Sequence, residues 1–166
     1  MTRRPRTVSG TAGPGRIDVP LVPTVLLADA DADARAMIRD ALLEGTGPTD
    51  LRSVATVGEL LAYVEHDLGE DVPTPVPSLI LVDLDLPDTA IGALDAVRTI
   101  KCNPVLRRIP VVVLARRPEQ DQVDAAYEAG ANTLIAKPVT FLALVKLMKV
   151  FTAYWLDAAA LPTEAS

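Results

Sequence analysis

Three ionisable residues stand where short apolar runs end. Asp29 follows Thr24-Val25-Leu26-Leu27-Ala28, Asp83 follows Leu79-Ile80-Leu81-Val82, and Lys137 follows Thr133-Leu134-Ile135-Ala136. Asp85 comes two residues after Asp83, just ahead of Leu86-Pro87. Unbroken apolar runs of this length, bounded by turn signals, read as strands covered on both faces. In an open α/β sheet, ligands and chemistry collect at the C-terminal tips of the strands. If these tips converge, two carboxylates facing an ammonium outline a cation and phosphoryl site. Carboxylates suit Mg²⁺, and a lysine is a point charge for phosphate. The plainer reading is that Asp83 only opens a turn before Pro87.

Composition sets the frame for those tips. A chain of 166 residues is one domain with room for tails. It is 49% hydrophobic and 23% charged, as soluble globular proteins are. The net charge of −6 argues against general nucleic-acid binding. Residues 1–20 carry four arginines against Asp18, a local +3 that leaves −9 for the remainder. Rich in Arg, Pro, Gly, Thr and Ser and without period, residues 1–21 read as a disordered basic arm. One cysteine, Cys102, excludes an internal disulfide and fits the cytoplasm, where it is expected to pack inertly. No apolar run reaches membrane-spanning length, and no signal core follows the basic start.

Between the tips, strands alternate with helical patterns. Asp31 or Asp33 can cap a first helix carrying Met37, Ile38, Ala41 and Leu42, which Gly45, Gly47 and Pro48 stop. Leu51–Ala55 is a second strand, and Thr56-Val57-Gly58-Glu59 fits a capping box for the next helix. His66 near that helix's end reads as a surface residue. Pro73, Pro75 and Pro77 make an extended connector. After the Asp83 strand, a loop through Asp88-Thr89-Ala90 leads to a helix ending near Cys102. Ile109–Ala115 is the fourth strand, and a helix with Pro118 in its first turn runs to Ala129, with Gly130 as its stop. The fifth strand ends at Lys137, and Thr140 caps a long last helix. The expected fold is therefore α/β, a doubly wound five-stranded parallel sheet with helices on both faces. In the order 2-1-3-4-5, strands one and three are neighbours at the switch point, which brings Asp29 and Asp83 into one crevice.

Four motifs in order resemble the response-regulator receiver domain of two-component signalling. They are Val25-Leu26-Leu27-Ala28-Asp29, Leu81-Val82-Asp83-Leu84-Asp85-Leu86-Pro87, Arg108-Ile109-Pro110-Val111-Val112-Val113-Leu114, and Gly130-Ala131-Asn132 with Ala136-Lys137-Pro138. The likeness covers about residues 23–156. The run Ile100–Pro110 and the ending Tyr154-Trp155-Leu156 through Leu161-Pro162 look like the short stand-alone regulators that serve phytochrome-type histidine kinases. The resemblance implies a flavodoxin-like receiver over residues 22–156, a C-terminal tail over 157–166 and no output domain after residue 162. It also implies a phosphorelay role in the cytoplasm, with a histidine kinase or other signalling protein as partner. Asp83 matches the phosphoacceptor, Lys137 the phosphoryl-pairing lysine, and Asp29 the first acid of the metal-binding pair. Asp85 matches the position whose carbonyl reaches Mg²⁺, and its side chain offers a third acid.

Three positions depart from that pattern. The second acid of the pair falls on Ala30, the phosphoryl-bonding Ser/Thr on Ala115, and the switch aromatic on Leu134. A hydrogen bond to a charged acceptor contributes about 1.5–3 kcal/mol, so Ala115 is a substantial loss. The expectation is an atypical receiver with weak Mg²⁺ binding that signals by protein contact and depends little on phosphorylation. The alternative is a working acceptor rescued by Asp85 and Lys137. A third reading takes Asp83-Leu84-Asp85 as the Asp-x-Asp of haloacid-dehalogenase-type phosphatases, although Pro87 and the motif's place on the third strand fit that family poorly. Finally, Phe141, Leu144, Val145, Met148, Phe151, Tyr154 and Trp155 offer more apolar surface than one sheet face needs. A homodimer is expected, with Phe151, Tyr154 and Trp155 in its interface.

Overall fold

The computed structural model describes residues 22–44, 48–65, 74–87 and 91–162. The basic arm, Gly45, Gly47, His66, Pro73, the Asp88–Ala90 loop and residues 163–166 lie outside the described residues. Five parallel strands form one sheet in the order β2-β1-β3-β4-β5. They are β1 (Thr24–Ala28), β2 (Asp50–Val54), β3 (Leu79–Asp83), β4 (Val111–Ala115) and β5 (Thr133–Ala136). The helices are α1 (Ala32–Leu43), α2 (Val57–Val64), α3 (Ala93–Cys102), α4 (Gln120–Glu128) and α5 (Phe141–Thr152). This is the expected doubly wound order, one of the few that alternating strands and helices allow.

Side-chain alternation divides the core in two. Leu26 and Ala28, Ile80 and Val82, and Val111 and Val113 pack beneath α2, α3 and α4 with Leu60, Val97, Ile100 and Ala126. Their neighbours Val25 and Leu27, Leu79 and Leu81, and Val112 and Leu114 pack beneath α1 and α5 with Ile38, Leu144, Met148 and Phe151. The three central strands are fully covered, whereas β2, at an edge, is only half-buried and exposes Arg52 and Ser53.

Several boundaries shift from expectation. β4 starts at Val111 rather than Ile109, because Leu106–Arg108 form a 3₁₀ turn and Pro110 has no N–H for the ladder. β2 begins and ends one residue early. Pro118 lies outside α4, which is capped by Glu119 in a reciprocal box with Gln122. At α2, Thr56 accepts from the Glu59 N–H, but the Glu59 carboxylate reaches Ala55 N instead of the cap residue. α5 stops at Thr152 and passes into a π-helical turn, Ala153–Ala158. Gly130 does end α4, at φ 96°, where other residues are strained. Cys102 is exposed rather than packed, since it falls on the outer side of the last turn of α3.

The last helix corrects the interface expectation. Leu144, Val145, Met148 and Phe151 are buried in the chain's own core, with Phe151 only 3% exposed. They recur at the 3.6-residue spacing of one helical face, which α5 needs to cover the sheet beside α1. Trp155 is half-buried against the same cluster and packs edge-on to Tyr154, ring centroids 5.2 Å apart. The large apolar residues that α5 and its extension turn outward are Phe141, Leu142, Val150 and Tyr154.

Candidate functional site at the strand tips

β1 and β3 are neighbours in the sheet, with Ala28 beside Val82, so the next residues, Asp29 and Asp83, stand side by side at the C-terminal edge. Both are buried, at 1% and 6% exposure. Each carboxylate is aimed by a local backbone N–H. Asp29 Oδ1 accepts from Asp31 N at 2.9 Å, and Asp83 Oδ1 accepts from Asp85 N at 3.0 Å. The other oxygens converge on one cation. Lys137 Nζ donates to Asp29 Oδ2 at 2.5 Å and makes a short bond to Asp83 Oδ2. Lys137 is anchored through its own N–H, which donates to the Ala115 carbonyl at 2.8 Å. Burial alone would lower the pKa of Lys137, but the hydrogen bonds and negative charges of Asp29 and Asp83 outweigh it and raise it. The ammonium therefore stays charged between its two partners.

The remaining expected site residues sort differently. Asp85 is exposed, and among the described residues no three acids come together in a metal-binding group. The expected third carboxylate therefore stays out of the crevice, because the Asp83 carboxylate binds the Asp85 backbone in a tight turn while the side chain points to solvent. Ala30 is exposed, and Asp31 does not replace it. Its carboxylate caps α1, accepting from Asp33 N at 2.9 Å and Ala34 N at 3.2 Å, bonds that hold it below the usual carboxylate range. Ala115 ends β4, buried and without a hydroxyl. Leu134 lies half-buried on β5, packed toward the α2, α3 and α4 side.

Two arginines went unnoticed in the sequence reading. Arg35 Nη1 donates to the Asp29 carbonyl at 2.7 Å, pinning the β1 tip to α1. Arg116 Nη2 reaches Asp31 Oδ2 at 3.4 Å from the far side of β3. The signal for Arg116 was available: strand alternation places it in step with Leu114, on the same face as Asp83.

Two carboxylates sharing a fixed ammonium at the switch point of a doubly wound sheet fit a receiver domain. The sequence agrees: the response regulator receiver domain family matches residues 25–149, and the chain belongs to that family. More particularly, it is 33% identical over 138 residues to the response regulator Rcp1 of Synechocystis sp., covering 83% of this chain and 91% of that protein. Among solved structures it is similar to the phosphorylated cyanobacterial phytochrome response regulator RcpA, with 30% identity, 86% and 99% of the two chains covered and a TM-score of 0.78. It is similar, too, to the Mn²⁺-bound form of response regulator Rcp1, at 30% identity, 85% and 99% coverage and a TM-score of 0.76. The chain is thus a receiver of two-component signalling, near the phytochrome-associated regulators. The phosphatase alternative gives way to this family, whose members bind Mg²⁺ or Mn²⁺ at an acidic site. Among the described residues, no helix is long and apolar enough to cross a membrane.

Proposed function

We propose that this chain is a stand-alone receiver, spanning residues 22–156, whose output is protein contact that changes little when Asp83 is phosphorylated. The observation that carries this reading is the pair of empty relay positions. Ala115 has no hydroxyl with which a phosphoryl group could pull the β4 end, and Leu134 has no polar tip to report such a movement. A ligand shifts an equilibrium only by its differential contacts with the two states. The partner is a histidine kinase of the phytochrome type or another signalling protein. The chain pairs with a second copy through the outward residues of the last helix, Val150 and Tyr154 foremost, with Trp155 behind them. The arm and the C-terminal tail flank the domain, which works in the cytoplasm.

A second reading, that Asp83 is a working phosphoacceptor, is favoured by the Lys137 ammonium held between Asp83 and Asp29. The two carboxylates already share one cation and fit a weak Mg²⁺ site. Mg²⁺ takes one or two carboxylates and completes its shell with water and phosphate oxygens. Asp29 and Asp83 would hold it, with the Asp85 carbonyl beside them, and it would offset the charge of an incoming phosphoryl group.

The test compares partner binding and oligomeric state of the native chain and Asp83→Asn, with and without a phosphoryl donor. Near-equal affinities support the lead reading. Stoichiometric labelling of Asp83 that clearly changes dimerisation or partner affinity overturns it.

A further inference from the structure

The crevice lacks the hydroxyl of Ala115 and the acid of Ala30, yet the residue after Ala115 is an arginine. Alternation along the strands sets its direction. Leu27, Leu81, Leu114 and Ile135 all face α1 and α5. Two residues on from each are Asp29, Asp83, Arg116 and Lys137, which therefore share that face. Across the β3–β4 ladder Asp83 lies beside Leu114, so Arg116 sits two residues further along, about 7 Å on. Across β4–β5 Ala115 lies beside Ala136, which makes Arg116 the neighbour of Lys137.

The guanidinium is already turned toward the acceptor. β3 lies between β4 and β1 in the sheet, and the Arg116 contact with Asp31 runs from the end of β4 to the residues after β1. The side chain thus crosses the tip of the strand that ends in Asp83. Its hold on Asp31 is slight, at 3.4 Å with the two side chains 64% and 47% exposed. Asp31 keeps its α1 cap through its other oxygen, so releasing Arg116 leaves the helix capped. Arg117 adopts φ 46°, which turns the chain off the strand line immediately after Arg116. Charge points the same way. Asp29 and Asp83 carry two negative charges against the one of Lys137, and a phosphoryl group on Asp83 adds more.

We propose that Arg116 is a phosphoryl-binding residue of this receiver, leaving Asp31 to pair with the oxyanion on Asp83 in place of the missing hydroxyl. A planar guanidinium binds phosphate oxygens in a fork, which a single hydroxyl cannot. Holding the anion is separate from reporting it. Arg116 faces α1 and α5, while Leu134 lies on the opposite side of the sheet, so the contact does not rebuild the relay. The inference rests on Asp83 being the acceptor.

The experiment uses the full chain with acetyl phosphate and Mg²⁺, followed by intact mass. An Asp83 carboxylate oxygen forms the new bond to phosphorus while the bond from phosphorus to the acetate oxygen breaks, and acetate leaves with the electron pair. Arg116→Ala is expected to label about tenfold more slowly, the loss of one hydrogen bond to a charged acceptor. Arg116→Lys is expected between the two, and Asp31→Asn, which keeps the cap but frees the arginine, at or above the native rate. Ala115→Thr in the Arg116→Ala chain is expected to restore labelling, which a merely structural role for Arg116 would not allow. Binding of beryllofluoride, followed by fluorine NMR, gives a second readout with the same order of variants. An Arg116→Ala chain that labels and binds as well as the native chain, or better, overturns the proposal while leaving Asp83 as acceptor. A native chain that retains neither phosphoryl group nor beryllofluoride overturns both. A change in partner affinity on labelling, with the variant order as expected, overturns only the phosphorylation-independent output.

Discussion

Two half-buried lysines stand at opposite edges of the same sheet, and their partners differ in kind. Lys101, on α3, donates to the Ile109 carbonyl at 2.7 Å, to Asn132 Oδ1 at 3.0 Å and to the Arg107 carbonyl at 3.3 Å. Asn132 also accepts from Val111 N, so one ammonium ties α3 and the 3₁₀ turn to the starts of β4 and β5. Lys137, at the other edge, binds two carboxylates. Burial lowers the pKa of Lys101 with nothing opposing it. At Lys137 the same burial is overcome by Asp29 and Asp83, and the pKa rises. Neutral carbonyl and amide dipoles can hold a cation permanently, and nothing there invites exchange. Carboxylates hold it more strongly, but a metal ion or phosphoryl group can compete for them. One lysine is a staple and the other is part of a site.

Removing each cation is the strongest way to break this contrast. Lys137→Met is expected to lose about 3–5 kcal/mol in urea denaturation, because two buried carboxylates are left facing each other. An Asp83→Asn change in that background should recover part of the loss. Lys101→Met is expected to lose about 2 kcal/mol, the cost of leaving the Ile109 carbonyl without its donor, with labelling of Asp83 untouched. Gly130→Ala perturbs the same staple, since a Cβ there would lie 3.0 Å from Lys101 Cγ at a φ of 96°. About 1.5 kcal/mol of destabilisation is expected from that strain.

The smallest effect is in alkaline pH. Lys137 has its pKa raised on folding, so its stabilisation is complete below 10.5 and fades as pH climbs from there through the folded value. Lys101 has its pKa lowered, so the unfolded chain holds more protons below 10.5, and stability from this residue rises with pH toward that value. Denaturation of each lysine-to-methionine variant against the native chain, from neutral pH to about pH 11, should give differences of opposite slope.

Much of this was legible in the chain itself. Apolar runs ending in Asp29, Asp83 and Lys137 marked the strand tips, and the alternation with helices left few orders. The last helix shows where reading failed. Its apolar residues outnumber one face, and Phe151, expected at an interface, fills the core. Apolar character is shared by core and surface positions, so composition could not divide them. Only packing against α1 and the sheet showed that Leu144, Val145, Met148 and Phe151 point inward and Val150 and Tyr154 outward. Asp85 failed for a related reason: proximity in sequence gave it to the acidic site, and a backbone turn took its carboxylate away.

The sequence by itself determined the sheet, its order and the residue types at its C-terminal edge, because strand period and right-handed crossovers are local rules that leave few alternatives. It also determined the absences at Ala30, Ala115 and Leu134, which no folding can restore. Tertiary structure alone decided that the Lys137 ammonium is shared between two carboxylates, and that Arg116 spans from the end of β4 to Asp31. Asp29 and Lys137 are 108 positions apart in the chain, and Asp31 and Arg116 are 85 apart. Contacts over such separations depend on how strands pair and where side chains point in three dimensions, and no local pattern encodes them.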